Sequence, residues 1–133
     1  MTDYLSEVQE RFKKDLFATE TTGIDIIDVG DHYAKCVLHL ASKHRNAMGA
    51  VMGGVIYTLA DFTFAVAANH AVLNTVSVSG DIKFINSTKG NSLYAEARCL
   101  KNGKTTGFYD ITINDDSGNI ISKVSIVGAR VNI

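Results

Sequence analysis

Residues 53–71 read GGVIYTLADFTFAVAANHA, and how this stretch folds decides the rest. Val55, Ile56, Leu59, Ala60, Phe62, Phe64, Val66 and Ala67 leave almost no polar face, and proline is absent from the whole chain. The stretch predicts one long buried helix, from about Gly53 to Ala71, that other elements must cover on most sides. Asp61 is the only formally charged side chain between Asn46 and Gly80. A lone carboxylate in such a helix requires a reason, because burying a charge is costly.

Outward from the helix the pattern changes. On the N-terminal side, Tyr4, Leu5, Val8, Phe12 and Leu16 recur at three- and four-residue steps, which predicts an amphipathic helix over Thr2–Phe17. Strand patterns follow at Gly23–Val29 and Tyr33–Leu40, with Gly30-Asp31 at the turn. A polar loop, ASKHRNAMGAVM (41–52), leads into the long helix. Beyond it lie four strand patterns at Thr75–Asn86, Asn91–Lys101, Thr105–Asn114 and Ile120–Val131. The third and fourth of the six strands are separated by Ser87–Gly90, the next pair by an Asn102-Gly103 turn. In the first of the four, Val76, Val78, Ile82 and Phe84 are expected on one face and Ser77, Ser79, Asp81 and Lys83 on the other. Short connections favour an antiparallel meander. The expectation is an α+β chain, residues 1–133 as one domain, with a curved antiparallel sheet wrapped around one central helix and an extra N-terminal helix: the hotdog architecture.

The 133 residues are 46% hydrophobic and 20% charged, with a net charge of −1. That composition folds, and the absence of a basic block argues against a nucleic-acid partner. No apolar run reaches the roughly 20 residues of a membrane span. Two distant cysteines, Cys36 and Cys99, fit buried thiols and a cytoplasmic location. His32, His39 and His70 show no ligand spacing, so no metal is expected.

Two readings of Asp61 stay open: a buried carboxylate bonded to a nearby hydroxyl such as Thr58 or Thr63, or a general base or nucleophile. The Gly53-Gly54 pair bears on the second. The first amides of a helix lack intrahelical acceptors and carry the positive end of its dipole, a suitable place for a polarised carbonyl oxygen. Eight residues at about 1.5 Å each separate Gly53 from Asp61 by roughly 12 Å. The two can act on one atom only if they come from different chains, two such helices lying antiparallel about a two-fold axis.

His44-x-Asn46-x-x-Gly49-x-x-Met52-Gly53-Gly54, followed by Leu59-Ala60-Asp61, resembles the signature of the small hotdog acyl-CoA thioesterases of the phenylacetate-pathway and hydroxybenzoyl-CoA types. The likeness continues through Ser77–Ile85 and Lys101–Thr105. It implies hydrolysis of an acyl-CoA, with coenzyme A as part of the substrate and no other cofactor. The Gly53 N–H would polarise the thioester carbonyl and Asp61 of the partner subunit would act as nucleophile or general base. Asn46 would bind the carbonyl region or the attacking water, and Ser79 would orient water. Gly54, Met52 and His44 would border the substrate, and Lys104 would meet a CoA phosphate. The site implies a homodimer, with pairing into a homotetramer left open, and no nucleic-acid or membrane partner. Met52 stands where the family usually has histidine, so a non-catalytic acyl-CoA binder remains the alternative.

Overall fold

Asp3 starts the first helix. Its carboxylate accepts the Ser6 N–H at 2.7 Å, which satisfies one of the amides that a helix start leaves unpaired. The computed structural model describes residues 3–131, so the expected start at Thr2 lies outside them. Helix α1 (Tyr4–Phe12) buries Val8 and Phe12 and ends earlier than the periodicity suggested. The Asp15 N–H bonds to Phe12 O and the Leu16 N–H to Lys14 O, tightening the chain out of the helix. It rewinds as a π-turn over Phe17–Thr22, which Gly23 closes at φ 92°. Leu16 therefore leaves the core stripe and, with Phe17, stands exposed.

Six strands and the central helix follow: β1 (Ile24–Gly30), β2 (Tyr33–His39), the helix α2 (Gly53–Ala68), then β3 (Thr75–Phe84), β4 (Ser92–Asn102), β5 (Thr106–Asp115) and β6 (Ile120–Arg130). They form one antiparallel sheet in the order β1-β2-β4-β5-β6-β3. Thus β4-β5-β6 is the expected meander, but β3 is not beside β4. It pairs with β6 at the far edge, and residues 85–91 carry the chain back across. Three strand spacings of about 4.8 Å make roughly 14 Å, well within the reach of that segment at about 3.3 Å or more per residue. The β4–β5 turn falls at Gly103, as expected. Gly103 does not have a positive φ; a Cβ there would stand 2.7 Å from Thr106 O, so close backbone approach is what requires glycine.

The sheet curls over α2. Leu59, Phe62, Phe64 and Val66 of the helix meet Leu38, Ala95, Ile111, Ile113 and Ile126 of the strands in one buried cluster. Phe64 meets the Tyr109 ring edge-on at 5.2 Å, and Phe62 meets Phe12 at 5.8 Å. The helix is not covered on all sides, however. Gly54, Tyr57, Thr58, Asp61, Ala65 and Ala68 are exposed or half-buried at successive turns. Asn69 ends α2 and starts the route to β3. Its side-chain amide donates to Ala65 O and Thr75 O, and its oxygen accepts from the N–H groups of Asn74 and Thr75.

Strand β3 carries a bulge. Ser77 pairs with Gly128 and Ser79 with Val127, so Val78 is the extra residue. Directly paired residues share a face, and an extra residue reverses the alternation after it. Ser77, Gly80, Ile82 and Phe84 therefore lie on the helix side and Ser79 on the outer side, correcting the alternation expected from the sequence. From Val76 to Phe84 only Ile82 is better than exposed.

Gly128 sits where this packing is tightest. A Cβ there would meet Phe64 Cζ at 2.7 Å and Thr75 Cγ2 at 2.8 Å. Gly128→Ala is expected to lower stability by about 1–3 kcal/mol through overpacking, read as a lower urea midpoint with an unchanged m-value.

Candidate active site

The loop before α2 is shaped by two of the candidate residues. His44 is buried; its Nδ1 accepts the Ala41 N–H at 2.9 Å and its Nε2 lies 2.8 Å from Thr22 O. That pairing fixes a neutral ring with the proton on Nε2, so both nitrogens are engaged with backbone. Asn46 Oδ1 accepts the N–H groups of Met48 and Ala50 at 2.9 and 3.1 Å. Gly49, at φ 81°, donates its N–H to Asn46 O. Among the described residues nothing accepts from the Asn46 side-chain NH2, which leaves it as the outward-facing donor of the loop.

Helix α2 begins at Gly53 with Met52 as its N-cap residue, and no side chain caps it. The N–H groups of Val55 and Ile56 turn back to Met52 O, while those of Gly53 and Gly54 have no acceptor among the described residues. Two donors therefore coincide with the positive end of the helix dipole. The missing Gly53 side chain makes room for the Phe84 ring, which an added Cβ would meet at 3.1 Å. Beside Gly53 a cavity of about 380 Å³ opens between Val51, Ile56, Phe84, Ile85 and Ile121. On the other flank, Phe17, His44, Met52, Gly54 and Thr58 line one of about 430 Å³.

Asp61 lies on the open stripe of α2, half-buried and facing the edge strand. Thr58 and Thr63 do not partner it: their hydroxyls donate to Gly54 O and Leu59 O of their own helix, at 2.8 and 2.7 Å. Burial raises the Asp61 pKa above the ordinary carboxylate value, the Ser77 hydroxyl opposes that shift, and the charge of Asp15 adds to it. Tyr57, one turn earlier, is itself pushed up by burial and by Asp61. Its hydroxyl occupies the space over Gly80, where an added Cβ would come within 2.0 Å.

Ser77, not Ser79, is the serine beside Asp61 of the same chain, because of the bulge at Val78. The Tyr57–Gly80 contact likewise joins residues far apart in sequence. The small residues of 77–80 were the available hint; the bulge that aims them has no sequence signature. Lys104 is exposed in the β4–β5 turn. That turn meets the end of β6 at Thr105–Arg130, where β3 begins, so Lys104 lies toward the C-terminal end of α2, away from its own Gly53. Arg98 is stacked over the Tyr33 ring and paired with Glu96.

His39 contacts Ser92, but His32 and His70, with no ligand spacing in the sequence, converge with Asp31. The β1–β2 hairpin and the exit of α2 bring them together.

Residues 48–122 match the thioesterase superfamily. A putative esterase of Archaeoglobus fulgidus is 26% identical over 132 residues, covering 96% of this chain and 86% of the relative. The acyl-coenzyme A thioesterase PaaI of Escherichia coli is 35% identical over 92 residues, 68% of this chain and 66% of the relative. The structure of the E. coli PaaI protein superposes with a TM-score of 0.83 at 24% identity, covering 96% of both chains. A hypothetical thioesterase from Streptococcus pneumoniae, solved with coenzyme A, gives 0.82 at 19% identity over 91% of this chain and 99% of the other.

Ser77→Ala should raise the Asp61 pKa and Asp15→Asn should lower it, while Ser79→Ala leaves it in place; a carboxyl-carbon NMR titration reads all three. A raised folded pKa means that the folded chain binds the proton more tightly than the unfolded one. Stability is then lost as pH rises through the folded pKa. Asp61→Asn should therefore melt higher than the parent at neutral pH and lose that advantage in acid.

Proposed function

The chain belongs to the thioesterase superfamily, and from that premise we propose that it hydrolyses an acyl-CoA thioester to the free acid and coenzyme A. The names of its relatives support the substrate class. The observation that carries the reading is a half-buried carboxylate of raised pKa on the open face of a helix whose first two amides lack protein acceptors.

Gly53 and Asp61 stand roughly 12 Å apart along one helix, so the site is assigned to a homodimer. The unpaired outer edge of β3, with exposed Val76 and Val78, favours edge-to-edge pairing of two copies. An antiparallel β3–β3 seam would set the two α2 helices antiparallel and bring Gly53 of one chain toward Asp61 of the other. The thioester oxygen would take the Gly53 N–H, with the Asn46 side-chain amide as a second donor at the carbonyl or the attacking water. Asp61 would remove a proton from that water as hydroxide adds to the acyl carbon and the C–S bond breaks; or it would attack the acyl carbon itself, expelling the thiolate, and water would then cleave the resulting acyl–Asp61 anhydride to the free acid and the carboxylate. In either route the water's other proton passes to the thiolate sulfur of coenzyme A. Gly54 and Met52 would border the thioester, while His44 holds the loop from beneath. Lys104 is assigned to a CoA phosphate, and Ser77 rather than Ser79 to the setting of the Asp61 charge.

Incubation with a panel of acyl-CoAs, followed by thiol release, tests this. Asp61→Asn should lower kcat/KM by roughly a hundredfold or more for the best substrate. Equal rates for parent and variant would refute the role of Asp61. Tight acyl-CoA binding without turnover, with turnover appearing in Met52→His, would instead favour the non-catalytic binder.

A further inference from the structure

The β1–β2 hairpin turns through Asp31 and His32, and the chain leaving α2 passes that turn at His70. Asp31 Oδ1 stands 3.6 Å from Nε2 of His32 and 3.6 Å from Nε2 of His70. All three atoms lie within 4.8 Å of one another, and the two imidazoles meet edge-on with centroids 5.2 Å apart. A tetrahedral ion with bonds of about 2.0–2.1 Å holds its ligand atoms roughly 3.4 Å apart. Both Asp31–histidine distances are already close to that spacing, and the 4.8 Å outer limit of the set leaves the two imidazoles the remaining movement toward an ion.

The rest of each ring is already arranged. His32 Nδ1 lies 3.1 Å from the Tyr109 hydroxyl, and His70 Nδ1 lies 2.5 Å from the Tyr4 hydroxyl. With Nδ1 protonated and donating to the phenol, Nε2 of each ring carries the lone pair that an ion would take. Outer partners of this kind fix the tautomer and ring orientation of metal-bound histidines.

The backbone adds a second observation. His32 has φ 51° and is the only non-glycine with positive φ among the described residues. Glycine fills such a hairpin position with less strain, and histidine is among the few side chains found there more often than most.

We propose that Asp31, His32 and His70 form a zinc-type divalent metal site that ties the β1–β2 hairpin to the C-terminal end of α2. Two imidazole nitrogens and one carboxylate oxygen suit Zn²⁺ rather than Ca²⁺ or Mg²⁺, which take oxygen ligands. The fourth position goes to water. The Asn102 side-chain amide, 3.2 Å from His32 Nε2, gives up that contact when the ion binds. The N-terminal helix joins the same clamp, since the side chains of Tyr4 and Arg11 both donate to His70 O. The ion thus braces three segments, and the chemistry assigned to Asp61 is independent of it.

The test uses the full chain after chelation and dialysis, titrated with Zn²⁺ by calorimetry and with Co²⁺ by visible absorption. One Zn²⁺ per chain, tetrahedral Co²⁺ bands that Zn²⁺ displaces, and a higher Tm with Zn²⁺ are expected. His32→Asn removes a ligand while suiting the left-handed turn; it should weaken Zn²⁺ binding at least tenfold and abolish the rise in Tm. His39→Gln, outside the cluster, should change neither. Failure of the parent chain to bind Zn²⁺, or equal binding by His32→Asn, overturns the proposal.

Discussion

Phe64 wedged between Gly128 and Tyr109 is the contact on which the curl of the sheet depends. A side chain at position 128 would push β6 away from α2, and β6 is the only strand that β3 pairs with among the described residues. Strand β3 in turn carries Ser77 to Asp61, Gly80 to Tyr57 and Phe84 to Gly53. One missing Cβ in the core therefore sets how closely the edge strand approaches the polar stripe of the helix. Interiors packed at crystal-like density transmit such displacements instead of absorbing them.

The second constraint is that the sheet covers only part of α2. The apolar faces of the helix are buried, and the remaining stripe holds both the unpaired amides at its start and the carboxylate at its middle. Half-burial suits the role proposed for that carboxylate. Full exposure would leave its pKa at the ordinary value, and full burial without partners would hold it protonated. Asp61 lies between these limits, with a hydroxyl on one side and a second carboxylate on the other. Asn69 fastens the end of α2 to the start of β3, bonding Ala65 O on the helix and making three hydrogen bonds to Asn74 and Thr75.

The two ends of the molecule are built differently. Near Gly53 the loop is held by His44 and Asn46, with cavities on both flanks. At the opposite end, the hairpin turn, the helix exit and α1 meet in a polar knot of His32, His70, Asp31, Tyr4, Tyr109 and Arg11. The first end is open and offers unused donors, as binding requires. The second is cross-braced, which suits a role in holding elements together.

The sequence by itself determined the elements and the class of the fold. The apolar run of 53–68, the two-residue alternation of the strands and the short turns each follow from local periodicity, which the chain carries residue by residue. It also singled out Asp61 and the glycine pair, because one charge in an apolar helix and two glycines at its start are visible without coordinates. Tertiary structure decided what depends on pairing. The crossover of β3 to the far edge, the choice of Ser77 over Ser79, the departure of Leu16 from the core and the meeting of His32 with His70 all lie in that class. Register, bulges and long-range contacts are settled by the competition of whole strands for partners, and no local pattern records the outcome.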